Sequence, residues 1–503
     1  MKKAFFRTVM VVCFLCLVFC WQGMADQLSV DTLQNLPKQE VKDYTLSLEE
    51  VTYLALVNNF DIQLAQYDAL IARAKKDNTQ SIYDTILKAE VEYRNDESKK
   101  TSTILGSKSV DNDYNIGLSK KLPTGTTVDV DMSNNRHFSN ATFASSPVTH
   151  DSALGVTIEQ ELGKNFFGMS DRGSVKIALL DMENAEFTSI DKIEEMVAHV
   201  QEAYWDLALE RERLIIEEEM VGQAKRLYEL NQEKLQNGLV EMPELLASEV
   251  NYKNRLNELA LAQTNVQTKM NVLKLHLNIA DLNQEIIPAD TLSVVEHNVS
   301  LDQSLKNAFD YRADYKKVLN DIKARDIKLS MEKNNLWPEI NLTASLERNG
   351  LGDHFKQSSQ NITEEDNPNF FTGLTISFPL ENREAKSQLK AAELEKAKAL
   401  ISLKMIERKI AITIMDQVRD CHVRKELAIN SEQIADLQAK KLAEEEKRFR
   451  SGRSDTDTIV RFQEDLIQAR WKVAQAKYNY HAAIIDLKRE EGILLKQYWD
   501  GEL

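Results

Sequence analysis

Two glycine breaks that share one hydrophobic register constrain this chain more than any other feature. Gln236-Asn237-Gly238 and Arg450-Ser451-Gly452 each follow a long polar/apolar helical pattern and precede another. Each has the form of a helix closed by a C-terminal glycine and followed by a fresh start, with Pro243 early in one new helix and Ser454 or Asp455 as N-cap of the other. In steps of seven, Ile193, Val200, Leu207, Leu214, Val221, Tyr228 and Leu235 precede the first glycine, and Leu245, Tyr252, Leu259, Val266, Leu273 and Ala280 follow it. This is a coiled-coil stripe. An offset of 214 carries Val200 to Leu235 onto Ile414, Cys421, Ala428, Ala435, Leu442 and Phe449, and Leu245 to Leu273 onto Ile459, Leu466, Val473, Tyr480 and Leu487. Unrelated helices rarely agree over such a run, so the chain is an internal duplication of two helical hairpins.

The duplication continues upstream at an offset of 253, where Leu46-Ser-Leu-Glu-Glu50 and Asp61 match Val299-Ser-Leu-Asp-Gln303 and Asp314. Each half opens with a helix. Leu87, Ala89, Val91, Tyr93 and Ile340, Leu342, Ala344, Leu346 then alternate with period two, as strands do, and Gly155 to Ile158 and Gly373 to Ile376 supply a second strand in each half. The difference of the offsets, 253 − 214 = 39, places extra sequence in the first half near Asp111 to His150. There, Tyr114 to Leu118, Pro123-Thr-Gly125 and Thr127 to Met132 read as a polar hairpin, either an extended loop or an added strand pair.

The long helices, about 174–236 and 384–450, span roughly 90 to 100 Å at ~1.5 Å per residue, which exceeds any globular domain. The low content of 16 Gly and 8 Pro suits them. The formal net charge of −16 argues against a nucleic-acid partner, because no basic patch stands clear of acids. Residues 1–25 read as a signal peptide: Lys2, Lys3 and Arg7 form a basic start, Val9 to Phe19 an apolar core and Gly23-Met24-Ala25 a cleavage site. Cys20 follows Phe19, where a lipid-attachment motif wants a small residue. Cys13, Cys16 and Cys20 all fall in this segment, so Cys421 is alone in the mature chain and is expected in the core. Beyond it no apolar run of ~18 residues offers a spanning helix. The remaining boundaries are a linker at 26–43, a first repeat at 44–285, a linker at 286–297, a second repeat at 298–496 and a tail at 497–503.

A few strands per chain cannot close a membrane barrel alone, and open edges are intolerable in lipid, so several chains must share one. The duplicated order, Asn58-Asn59 after Leu-Ser-Leu-Glu-Glu, Trp337-Pro338 before a strand, Phe378-Pro379-Leu380 after another and the glycine turns resemble the TolC-like outer-membrane efflux and secretion channels over about 44–495. The fold class this implies is mainly α with a small β part: long helical hairpins forming an α-barrel, with strands contributing to a shared trimeric transmembrane β-barrel.

The resemblance further implies a homotrimer in outer-membrane lipid that works with a periplasmic adaptor and an inner-membrane transporter, as the exit duct of an efflux pump or a type I secretion system. The family's gate lies near the helix turns, here Gly238 to Ala247 and Phe449 to Arg461, and Gly238 and Gly452 become the tips for adaptor docking. The family's two lumen aspartates fall on Thr458 and Arg461, so the candidate acidic ring passes to Asp455 and Asp457, which could equally serve as helix-capping charges, and to Glu244, which stands at the acidic position expected in the first repeat. Gln160-Glu161-Leu162 stands where relatives carry Gln-Pro-Leu, so the bend there lacks proline's restraint. Glu217-Glu218-Glu219 and Glu444-Glu445-Glu446 read as solvated faces. No metal, cofactor or catalytic motif is present, which leaves a periplasmic coiled-coil scaffold as the alternative to a channel.

Overall fold

Both glycines close helices of one length. The computed structural model describes residues 45–496 and 498, apart from 100, 102–103, 105, 142–145, 282 and 296–298. The signal-peptide reading, with Cys20, and the 26–43 linker lie outside these residues. The chain divides into two units, Met1–Thr45 with Gln284–Ile287, and Leu46–Asn283 with Pro288–Leu503. The second carries every element below.

Its helices are α1 (Leu48–Asn58), α2 (Phe60–Gln80), α3 (Met169–Gln236), α4 (Met242–Leu277), α5 (Leu301–Tyr311), α6 (Ala313–Asn334), α7 (Phe355–Glu364), α8 (Arg383–Arg450) and α9 (Thr456–Glu491). Every boundary of α3 and α4 maps onto α8 and α9 at the offset of 214, and α1 maps onto α5 at 253. The glycines take φ of +69° at Gly238 and +70° at Gly452, a left-handed turn that any side chain would strain.

The opening helix of each half is in fact two, broken at Asn59 and at Arg312. Asn59 caps α2 by accepting from the amides of Asp61 and Ile62 (2.8 and 3.1 Å) and donates its side-chain amide to the His276 carbonyl at 2.8 Å. Arg312 donates to the Glu490 carbonyl at 3.0 Å and grips the Asp314 carboxylate at 2.8 and 3.0 Å. Since Asn59 and Arg312 differ by 253, and His276 and Glu490 by 214, the same junction is built twice with different chemistry.

Burial follows the heptads in the second half, where Ile414, Cys421, Ala428, Leu442 and Phe449 are buried. In the first half it departs from them after Leu207: Ile216, Met220, Ala224 and Leu227 are buried, while Leu214, Val221, Tyr228 and Leu235 are only half-buried. A straight helix turns every 3.6 residues and drifts off a strict seven-residue stripe. Ala280 lies beyond the end of α4. Cys421 sits among Ile410, Ile414, Tyr480 and Leu487, and burial pushes its thiol up to about 12. The glutamate triplets are not uniformly solvated: Glu217 faces Arg255 at 3.8 Å and Glu445 accepts from Ser454 at 2.6 Å, both buried.

The strands are β1 (Thr85–Asp96), β2 (Ser109–Lys121), β3 (Thr126–Ser139), β4 (Val148–Glu161), β5 (Glu339–Gly352) and β6 (Pro368–Ser377). They form one antiparallel sheet in the order β1-β2-β3-β4-β5-β6. The surplus of the first half is therefore two full strands. Helix α7, absent from the sequence reading, rests on the end of β5, where a Cβ on Gly350 would meet the Ser358 carbonyl at 2.3 Å.

One buried acid carries a pH signature. Glu194 on α3 is 6% exposed, accepts from the Leu495 amide at 3.5 Å, and burial pushes its carboxyl up to about 7. A raised carboxyl favours folding below its unfolded value and loses that advantage as pH rises through about 7. Glu194→Gln should therefore leave the urea midpoint unchanged at pH 4 and raise stability at pH 8 by up to about 3 kcal/mol. Equal midpoints at pH 8 would contradict a buried charge there.

Candidate functional site

The sheet has two chemically distinct faces, fixed by a register without bulges. Following the pairs outward from β1, Leu87, Ala89 and Val91 meet Leu118, Ile116 and Tyr114 of β2. Leu118 and Ile116 meet Val130 and Met132, which meet Val156 and Leu154. Val156 meets Leu346, and Leu346, Leu342 and Ile340 meet Phe370, Leu374 and Ile376. An apolar band thus crosses all six strands on one face.

The opposite face holds every acid of the strands, among them Glu90, Glu92, Asp113, Asp129, Asp131, Asp151 and Glu347, with Lys88, Arg94 and Lys121 as its bases. The apolar face holds no acid, and its bases, Lys120, Arg136 and Arg348, flank the band's centre. Such segregation on every strand is what a wall between lipid and water requires. Period-two alternation at Leu87 to Tyr93 and Ile340 to Leu346 was the signal in the sequence; which residues of neighbouring strands shared a face waited on the register.

At the far end of the long helices the two hairpin tips are joined. Asn231, fully buried near the end of α3, donates to the Thr456 hydroxyl at 3.0 Å and to the Glu244 carbonyl at 3.3 Å. Leu227, Phe449 and Ile459 pack beneath it, and the Lys234 ammonium lies 3.8 Å from the centre of the Phe449 ring. Glu244 and Asp455 are thereby brought to one tip, one in the first turn of α4 and the other as N-cap of α9. Asn231 carried no signal, because a polar residue on a long helix reads as solvated until its partner helix is placed.

Asp455 accepts from the Thr458 amide at 2.7 Å, which holds its carboxyl below the usual range, so it caps α9 as a carboxylate. Ser454, the other N-cap candidate, is spent on Glu445. Asp457 is exposed in the first turn of α9. The Arg461 guanidinium is also exposed, 5.7 Å from the Phe462 ring. A Cβ at Gly238 or Gly452 would meet nothing within 4 Å, so both turns present bare backbone to solvent.

Among the described residues no group of three or more His, Cys, Asp or Glu is placed to hold a metal ion, and no helix is long and apolar enough to cross a membrane.

The sequence profile of the outer membrane efflux proteins matches residues 109–278. No curated protein matches the chain. Its fold is similar to that of the outer membrane channel CmeC of Campylobacter jejuni, with a TM-score of 0.64 at 15% identity over 93% of either chain. It is likewise similar to the outer membrane protein VceC of Vibrio cholerae, with a TM-score of 0.65 at 14% identity over 88% of this chain and 96% of that one. The open state of the MtrE outer membrane channel of Neisseria gonorrhoeae gives 0.65 at 14% identity over 88% of either chain.

Proposed function

We propose that this chain, which has the fold of the TolC-like channels and matches the outer membrane efflux proteins over residues 109–278, is one protomer of an outer-membrane exit duct through which substrates leave passively. The observation that carries this reading is the six-stranded sheet with an uninterrupted apolar band on one face and all of its acids on the other. The sheet ends in two open edges, β1 and β6. An unpaired edge in lipid costs several kcal/mol per orphaned group, so β1 of one copy pairs with β6 of the next until the wall closes. Three copies do so, as in the TolC-like family.

The helices then form the periplasmic tunnel, and the joined tips at Gly238 and Gly452 meet a periplasmic adaptor coupled to an inner-membrane transporter, in an efflux pump or a type I secretion system. Asp455, Asp457, Glu244 and Arg461 form the charged ring at the narrow end. The chain performs no catalysis in this reading, the chemistry and the energy coupling belonging to its partners.

Because the water-facing wall and the tip are both acidic, trimers in planar bilayers should conduct K⁺ in preference to Cl⁻. The protein should fractionate with the outer membrane as a heat-dissociable trimer. Replacing Glu244, Asp455 and Asp457 by Ala should reduce the preference; anion selectivity untouched by those changes contradicts the acidic ring, and a soluble periplasmic dimer would sink the channel.

A further inference from the structure

The apolar band stops short of one end of the sheet. On β3, Val128, Val130 and Met132 are followed on the same face by Asn134 and Arg136; on β4, His150 and Ser152 precede Leu154 and Val156. The register sets Arg136 opposite His150 and Asn134 opposite Ser152. Since β4 runs from Val148 into α3, this end points away from the long helices, toward the outer leaflet. Six residues at about 3.4 Å each, on a strand tilted by ~40°, carry Arg136 about 16 Å above Val130. An apolar band ~25 Å tall reaches only about 12 Å from its centre, so Arg136 and His150 stand at the depth of lipid headgroups. Tyr93 and Tyr114 lie on the same two rows and are exposed, as aromatics at a membrane boundary are.

Helix α7 lies against this same face. The Ser152 and Ser358 hydroxyls are 2.7 Å apart, Asn134 donates to the Ser152 hydroxyl at 2.6 Å, and Asn361 donates to the Leu351 carbonyl at 2.8 Å. Gly350 and Gly352, opposite Ser152 and His150, leave the helix its room, since a Cβ on Gly352 would meet the Ser358 amide nitrogen at 2.8 Å. Docking brings His354, the N-cap residue of α7, within electrostatic reach of the His150 ring, as Arg136 is from its other side. The Nδ1 of His150 lies 3.3 Å from the Asn134 side-chain oxygen, which orients the ring.

No acid answers this group. The acids of the strands all lie on the opposite face. Asp353, beside His354 in the chain, is exposed and is not among the charges that act on His150. Of the three bases on the lipid side, Lys120 donates to Thr85 at 3.3 Å and Arg348 to Asp366 at 3.1 Å. Arg136 is half-buried and has no hydrogen-bond or ion-pair partner among the described residues. A guanidinium set beside two imidazoles without a carboxylate is repulsive once either ring is protonated, and a doubly charged oxyanion removes that repulsion. The planar fork of arginine matches the paired oxygens of a phosphate.

We propose that Arg136, His150 and His354 form a headgroup site on the lipid side of the wall, which takes a phosphate of an outer-leaflet lipid. The occupant is a lipid because the three groups stand on the face that meets lipid, at the depth where its phosphates lie. This rests on the channel reading above and adds a partner to it: the site fixes the height of the wall in the membrane, and α7 serves as its outer rim.

The test uses the full-chain trimer in an uncharged detergent, titrated with diphosphorylated lipid A and followed by native mass spectrometry. The parent should retain the lipid, and Arg136→Gln should weaken its binding about tenfold, the loss of one charge-assisted contact. Arg136→Lys should keep part of the affinity, since the charge stays and the fork goes. His150→Gln combined with His354→Gln should weaken binding as well, whereas Lys88→Gln, on the water side, should leave it unchanged. In lipid-free detergent all these trimers should dissociate at the parent's temperature, which a purely structural role for Arg136 would not allow. Equal affinity for lipid A stripped of its phosphates, or binding indifferent to Arg136→Gln, overturns the proposal. Displacement of the lipid by an equal concentration of inorganic phosphate reveals a site for the free anion and overturns it too. A conducting trimer that retains no lipid removes this inference and leaves the channel reading standing. Absence of any membrane trimer overturns the channel reading first, and this inference with it.

Discussion

Replacing Val130 by Arg is expected to weaken the assembled protein by about 2–4 kcal/mol per copy, the cost of an arginine at the middle of a lipid-facing strand. Val130 lies at the centre of the apolar band, between Leu118 and Val156. The next residue is its control. Asp131 lies on the other face between Gly117 and Gly155, where the glycines leave room for a longer side chain. Asp131→Arg should leave the dissociation temperature of the trimer close to that of the parent and lower its cation preference. A larger loss from Asp131→Arg than from Val130→Arg would mean that the faces are assigned the wrong way round.

The second large effect is expected at the junction below the sheet. The Arg312 side chain is 11% exposed and holds both Asp314 and Glu490, which are 30% and 20% exposed. Arg312→Met keeps the volume and strands two half-buried carboxylates. Breaking a fully buried pair from one side costs about 3–5 kcal/mol, and the residual exposure here places the expected loss near the lower end, about 3 kcal/mol. Adding Glu490→Gln should return part of it, because the second orphaned charge is removed. Asn59→Ala at the equivalent junction should cost only about 1 kcal/mol, a lost cap. Urea unfolding of the four proteins measures this; a loss below 1 kcal/mol for Arg312→Met would show that the pair is solvated.

Much of this molecule was legible before any fold was seen, for a physical reason that differs from part to part. The glycine breaks and the offset of 214 located the hairpins to within a few residues, because helix periodicity and C-caps are local properties of the chain. The breaks at Asn59 and Arg312 escaped notice, since a cap inside a continuous helical pattern declares itself only when the neighbouring His276 and Glu490 are in place. Glu217 and Glu445 were misjudged for the same reason: a charge on a helix looks solvated until a second helix covers it. The candidate ring residues were located at one tip by Asn231, a residue that the pattern alone could not single out.

The sequence by itself determined the duplication, the two long hairpins with their left-handed glycine turns, and the alternating strands. All of these are encoded in spacings of a few residues. Only the tertiary structure decided that the surplus near Asp111 to His150 is a pair of full strands, that they lie between β1 and β4, and that Lys121 clasps Glu161 and Asp171. Alternation fixes which residues of a strand share a face. It says nothing about which strand lies alongside, because that choice is made by hydrogen bonds between segments up to about 200 residues apart, as between β4 and β5.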